Sequence, residues 1–156
     1  MGPLELILAA LQLYFMLMNL TVERFYCHTP LLRGDARFLV PETLAFCEKY
    51  NPLFLLRPEW MRVATCVSAY VFSPFYALIL LGTLTGSLHR FKSIVLLFIG
   101  AKLNAILFYH YMEFTSATPP SDLVPYFAVE GPYLLSIVLV LYKLLATKAP
   151  ARDKTE

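Results

Sequence analysis

Four ionisable side chains lie where an otherwise apolar sequence offers them no water. Glu130 falls in the stretch Pro125–Tyr133, followed at once by Gly131 and Pro132. Lys102, His110 and Glu113 interrupt the apolar block before it. A charged side chain at membrane depth costs roughly 2–3 kcal/mol on insertion scales, so it is expected to face a partner or a cavity rather than lipid. Pro132 frees a backbone carbonyl beside Glu130 and predicts a bend there. Lys102 and Glu113 are separated by close to three helical turns and share a face, and His110 and Glu113 are i,i+3 neighbours. The stripe Lys102, Ile106, Tyr109, Glu113 therefore looks into a bundle. Three chemistries are open to Lys102 and Glu130. They form an intramembrane ion pair that fixes helix register, directly or through polar neighbours such as Asn104. They meet a ligand. Or Lys102 snorkels alone.

The elements that must position these groups are membrane helices. The chain of 156 residues is 58% hydrophobic and only 15% charged, well below the charged share of a soluble domain. Its mean hydropathy is +0.61. Apolar residues cluster in four blocks long enough to span a core of about 30 Å. Helices are expected at about 4–25, 62–84, 93–114 and 123–146, with one long extramembrane loop at about 26–61 and a polar tail at 148–156. The fold class is all-α, a four-helix transmembrane bundle in one domain of residues 1–147. Pro74, after Ser73, predicts a kink in the second helix. Within the loop, Pro41 opens a short helix, and recurring aromatics predict that the loop packs on the membrane surface.

A net charge of +2 gives no reason to expect nucleic acid as a partner. Three cysteines, with no CxxC and scattered histidines, give neither a zinc site nor a disulfide framework. Cys27 and Cys47 are either a pair in an oxidising space or free thiols. No phosphate loop, dinucleotide fingerprint, nucleophile elbow or metal-ligand motif occurs, and no cofactor is expected. The start of the chain lacks the basic region of a cleavable signal sequence. Asn19-Leu20-Thr21 is a formal glycosylation sequon placed against the bilayer, expected to be unused. Basic residues gather on the side of the two termini (Arg90, Lys92, Lys143, Lys148, Arg152, Lys154), which puts that side in the cytoplasm, a matrix or a stroma.

The ordered features resemble the EXPERA superfamily, which includes the emopamil-binding sterol isomerases and the sigma-2 receptor. The resemblance covers about residues 10–145. It rests on Leu13-Tyr14-Phe15, Asn51-Pro52-Leu53, Pro58-Glu59-Trp60, Ser73-Pro74-Phe75 and Pro132-Tyr133-Leu134-Leu135. It implies a membrane cavity that binds sterols or cationic amphiphiles. In the isomerases a His-x-x-x-Glu pair, a second-helix Glu and an Asn-x-x-Trp pair surround the substrate. Here the first becomes Asn19-x-x-x-Glu23 and the last becomes Glu130 and Tyr133. The second-helix carboxylate falls at Thr65 or Ser68 and is lost. The acid that ends the sigma-2 first helix falls near Tyr26 and is lost too, unless Glu23 substitutes for it. Double-bond migration needs a proton donor and an acceptor in reach of one substrate, so the enzyme reading is disfavoured. The expected function is a non-catalytic membrane protein with a lipid- or sterol-binding cavity, its ligand-binding residues being Asn19, Glu23, Ser68, Lys102, Glu130 and Tyr133. The alternative is a structural accessory subunit of an organellar respiratory or photosynthetic complex. A sterol isomerase is the third reading. Expected partners are membrane lipids or sterol, with a larger membrane complex or a homodimer possible. The expected location is multi-pass, in the endoplasmic reticulum or a mitochondrial inner membrane.

Overall fold

Each of the four apolar blocks becomes one helix in the computed structural model, which describes residues 1–146. The spans are α1 (Pro3–His28), α4 (Glu59–Leu84), α5 (Leu88–Phe114) and α6 (Leu123–Leu145), all long and apolar enough to cross a membrane. The short helices α2 (Val40–Tyr50) and α3 (Pro52–Leu56) lie in the loop between α1 and α4. The chain is an all-α, four-helix integral membrane protein that crosses the bilayer four times. The expected tail at 148–156 lies outside the described residues.

α1, α4 and α5 run somewhat past the sequence boundaries, most at α5, while α6 ends one residue short of its expected end. In α5 a single 3-10 turn at Leu88–Phe91 precedes the α-helix. α1 lies along the second half of α4, α5 pairs with α6, and α6 closes back on α1. At the terminal end Glu5 of α1 forms an ion pair with Lys143 of α6. Lys143 therefore binds a carboxylate there instead of merely reaching for the headgroups.

Two apolar cores form. One holds the terminal half of the bundle around Phe15, Tyr76, Phe98 and Val140. The other, around Val22, Tyr26, Leu53 and Met61, joins the loop to the opposite ends of α1 and α4. The loop packs on the bundle as expected. The Tyr26 hydroxyl donates to the Phe54 carbonyl at 2.7 Å, and the two rings stack. Arg57, at φ 49°, turns its guanidinium onto the last turn of α1, donating to the carbonyls of Tyr26 at 3.0 Å and Cys27 at 3.1 Å. Carbonyls at a helix end have no partner of their own, and Arg57 supplies one. Arg37 forks over Asp35, holds its carboxyl below the usual carboxylate range, and lies over the Phe25 ring.

The cysteines pair differently from either sequence expectation. Cys27 is bonded to Cys66, their Cα atoms 4.9 Å apart, while Cys47 is free and buried. Cys66 stands near the start of α4 because that helix begins at Glu59, which brings it level with the end of α1. Cys47 is buried on α2 and takes no part in the bond.

Pro74 does not break α4. The backbone widens into a π turn at Ser68–Phe72 just before it, and α1 has a matching π turn at Asn19–Glu23. Proline has no N–H, so carbonyls one turn earlier need other donors. The Ser73 hydroxyl donates to the Ala69 carbonyl at 2.8 Å. The Asn19 side-chain amide donates to the Ser68 carbonyl at 2.7 Å and to the Ser73 hydroxyl at 3.0 Å. The Ser68 hydroxyl donates back to Asn19 Oδ1 at 3.3 Å. Asn19 thus clamps the two widened turns together.

Candidate functional site

Between the two cores lies a cavity of about 350 Å³, within the size range of small-molecule sites. α1, α4, α5 and α6 form its walls, and α2 with Asn51 roofs it on the loop side. Five of the six residues singled out from the sequence line it: Glu23, Ser68, Lys102, Glu130 and Tyr133. Asn19 does not. It is completely buried and its amide is engaged by α4, so it braces the wall from behind. The same burial leaves no room for a glycan at the sequon.

Lys102 is 1% exposed and makes no salt bridge with any described residue. Its ammonium donates to Ser136 Oγ at 2.7 Å. Three rings surround it: Phe15 at 4.1 Å, Tyr76 at 4.8 Å and Tyr133 at 5.5 Å from the centroids. Aromatic faces carry negative potential and stabilise a desolvated cation by about 2 kcal/mol or more. Ser136 donates in turn to the Tyr133 carbonyl at 2.8 Å, which fixes its lone pairs toward Lys102. The cation is held by ring faces and one hydroxyl at the deep end of the cavity.

Glu130 faces the cavity from α6 and makes no hydrogen bond or ion pair with any described residue. The expected Lys102–Glu130 pair is absent. Asn104, the proposed intermediary, is exposed on the other side of α5. Two residues of α-helix turn it about 200° from Lys102. Changing Lys102 to Met and Glu130 to Gln is therefore expected to give additive stability changes, within about 0.5 kcal/mol in a double-mutant cycle of thermal or denaturant unfolding. A larger coupling energy would mean that the two groups meet.

Glu23 lies on the α1 wall, with Tyr133 OH donating to its Oε1 at 3.4 Å and Ser68 close by. A third carboxyl, Glu113, is completely buried beside Tyr109 and Asn51. The stripe read from the sequence does look inward: Lys102 and Glu113 are buried, Ile106 and Tyr109 half-buried. His110 also turns in, its Nδ1 3.0 Å from the Tyr126 hydroxyl. On the roof, Asn51 Nδ2 donates to Tyr109 OH at 3.0 Å. Burial pushes the Cys47 thiol up to about 12, which keeps it protonated at the cavity edge.

Sequence reasoning missed Phe15, Tyr76 and Ser136 as the nest of Lys102, and Thr43, Cys47 and Asn51 as the roof. The nest draws on three helices, and no spacing within one chain segment signals it. The arrangement offers a ligand apolar walls, a cation at the deep end, and two carboxyls along the sides. Among the described residues no group of three or more His, Cys, Asp or Glu is placed to hold a metal ion. The chain matches no protein-family model, no curated protein and no solved structure.

Proposed function

We propose that this protein is a non-catalytic, lipid- or sterol-binding membrane protein and a divergent member of the EXPERA superfamily. The observation that carries the reading is the unpaired Glu130 carboxyl in an apolar cavity within the bundle. A carboxyl kept there without a protein partner has a use if a ligand supplies the partner. The deep Lys102 suits a hydroxyl or carbonyl oxygen at one end of such a ligand. The side carboxyls suit a hydroxyl or an amine. Asn19, which stands where the isomerases carry histidine, is neutral and has both its amide atoms hydrogen-bonded. That supports binding over proton transfer. The basic residues on the side of the termini support an endoplasmic reticulum or organellar membrane with those termini in the cytoplasm or matrix.

Native mass spectrometry of the gently solubilised protein tests this. A sterol, lipid or basic amphiphile is expected to remain bound, and Glu130→Gln is expected to weaken that binding at least tenfold with the fold intact. Ala105→Trp, which fills the cavity from α5, is expected to abolish it. A chain that carries no such ligand but travels in stoichiometric complex with other membrane subunits would overturn the reading in favour of the accessory-subunit alternative. Rescue of a cell lacking sterol isomerase would overturn it in favour of the enzyme.

A further inference from the structure

The cavity is polarised along its depth. Its carboxyls, Glu23 and Glu130, lie toward the loop side, and its cation lies at the other end. Lys102 is about twelve residues from the loop end of α5 and Glu130 about seven from the start of α6, so the ammonium sits on the order of 8 Å deeper. An ammonium carries three N–H donors. Among the described residues only one is used, on Ser136 Oγ at 2.7 Å. The faces of Phe15, Tyr76 and Tyr133 answer the charge but offer no lone pair to the other two. No described carboxylate lies within ion-pair distance of Lys102. The Tyr76 hydroxyl belongs to a ring at the same end and makes no hydrogen bond with any described residue. It is a further donor for a group seated beside Nζ.

We propose that Lys102 is a head-group site for a lipid carboxylate: an apolar monocarboxylic acid binds with its acid group on Nζ and its chain running toward Glu130. The proposal rests on the lipid-binding reading and narrows it. The choice of an acid follows from charge. A cation held inside the bilayer without an anion is stabilised by a ligand that brings one. A carboxylate also accepts the two remaining N–H bonds, and does so more strongly than a neutral hydroxyl or carbonyl. The choice of a lipid over a small anion follows from the walls. Met18, Val22, Phe72, Ile106 and Val129 line the cavity beyond Lys102, and an apolar chain laid against them is removed from contact with polar groups. The orientation follows from the polarity. Turned end for end, the acid group would stand among Glu23 and Glu130, with carboxyls beside it and no cation to meet it. Lys102 thus selects the head group and the side carboxyls select the direction of entry.

The test measures binding of radiolabelled oleate and of radiolabelled methyl oleate to the full, gently solubilised chain. The two probes share a chain and differ only in the charge of the head. The wild type is expected to hold oleate at least tenfold more tightly than the ester. Lys102→Met is expected to bring oleate down to the affinity of the ester and to leave the ester unchanged. Glu130→Gln is expected to leave the ratio of acid to ester as it is in the wild type. Acetate, at concentrations where oleate saturates the site, is expected not to displace it. Equal affinity of the wild type for acid and ester overturns the proposal, while binding of the ester or of a sterol leaves the lipid-binding reading standing. This comparison needs no variant, so it decides even if Lys102→Met fails to fold. A preference for the acid that survives Lys102→Met overturns the proposal too. Displacement by acetate overturns it in favour of a small-anion site. Failure of acid, ester and sterol alike overturns both readings.

Discussion

Cys66→Ser should lower the stability of the detergent-solubilised protein by about 4 kcal/mol. The bond it removes closes a loop across a sequence separation of 39 residues. The chain-entropy relation for a loop of that length gives about 4 kcal/mol. That loop contains α2, α3 and the start of α4, so the ends of α1 and α4 lose their covalent tie and the cavity roof loses its anchor. Reducing the wild-type protein should give the same loss, because both treatments remove one bond. Cys47→Ser should leave the reduction-sensitive step unchanged, since Cys47 is not bonded. Unfolding monitored with and without reductant decides the matter. A melting curve unaffected by reductant would show that the tie carries no stability.

Asn19→Leu should cost about 3 kcal/mol, although leucine is close in volume and better suited to lipid. The substitution removes the donors to the Ser68 carbonyl and the Ser73 hydroxyl together with the acceptor for Ser68 Oγ. A buried polar group left unsatisfied costs about 1–3 kcal/mol, and inside a bilayer no water comes to replace the partner. The loss falls in the turn before Pro74, where the helix has already lost one backbone donor. Leu20→Ala, one position along and 52% exposed, should be close to neutral. Equal melting temperatures for Asn19→Leu and the wild type would remove the clamp from the account of the fold.

Much of the architecture was legible because the bilayer is a severe solvent. Four apolar blocks had to be four helices, and the period of 3.6 placed Lys102 and Glu113 on the inward side of α5. Of the three chemistries the sequence leaves open at Lys102, the ion pair with Glu130 is not formed, because spacing along one helix does not fix which group on another helix a side chain meets. The ammonium found its negative potential in ring faces contributed by α1, α4 and α6, which no local spacing encodes. The disulfide was missed because Cys66 was read as part of a spanning block. The helix starts early enough to lift it level with Cys27. The widened turns were invisible as well. Pro74 announces a disturbance, but the π turn before it and its bracing by Asn19, 55 residues earlier in the chain, carry no local signal.

The nest around Lys102 also sets an order of assembly during synthesis. Spans emerge from the N-terminus first. α1 and α4 alone contain both half-cystines, the Asn19 clamp and two of the three rings, Phe15 and Tyr76, that receive the ammonium. This first hairpin can therefore lock before α5 enters the bilayer. When α5 brings its charge to mid-membrane, most of the receiving surface is already in place. α6 then supplies Tyr133 and Ser136 and completes the enclosure. The lysine, costly to insert, enters a site that the earlier half of the chain has prepared.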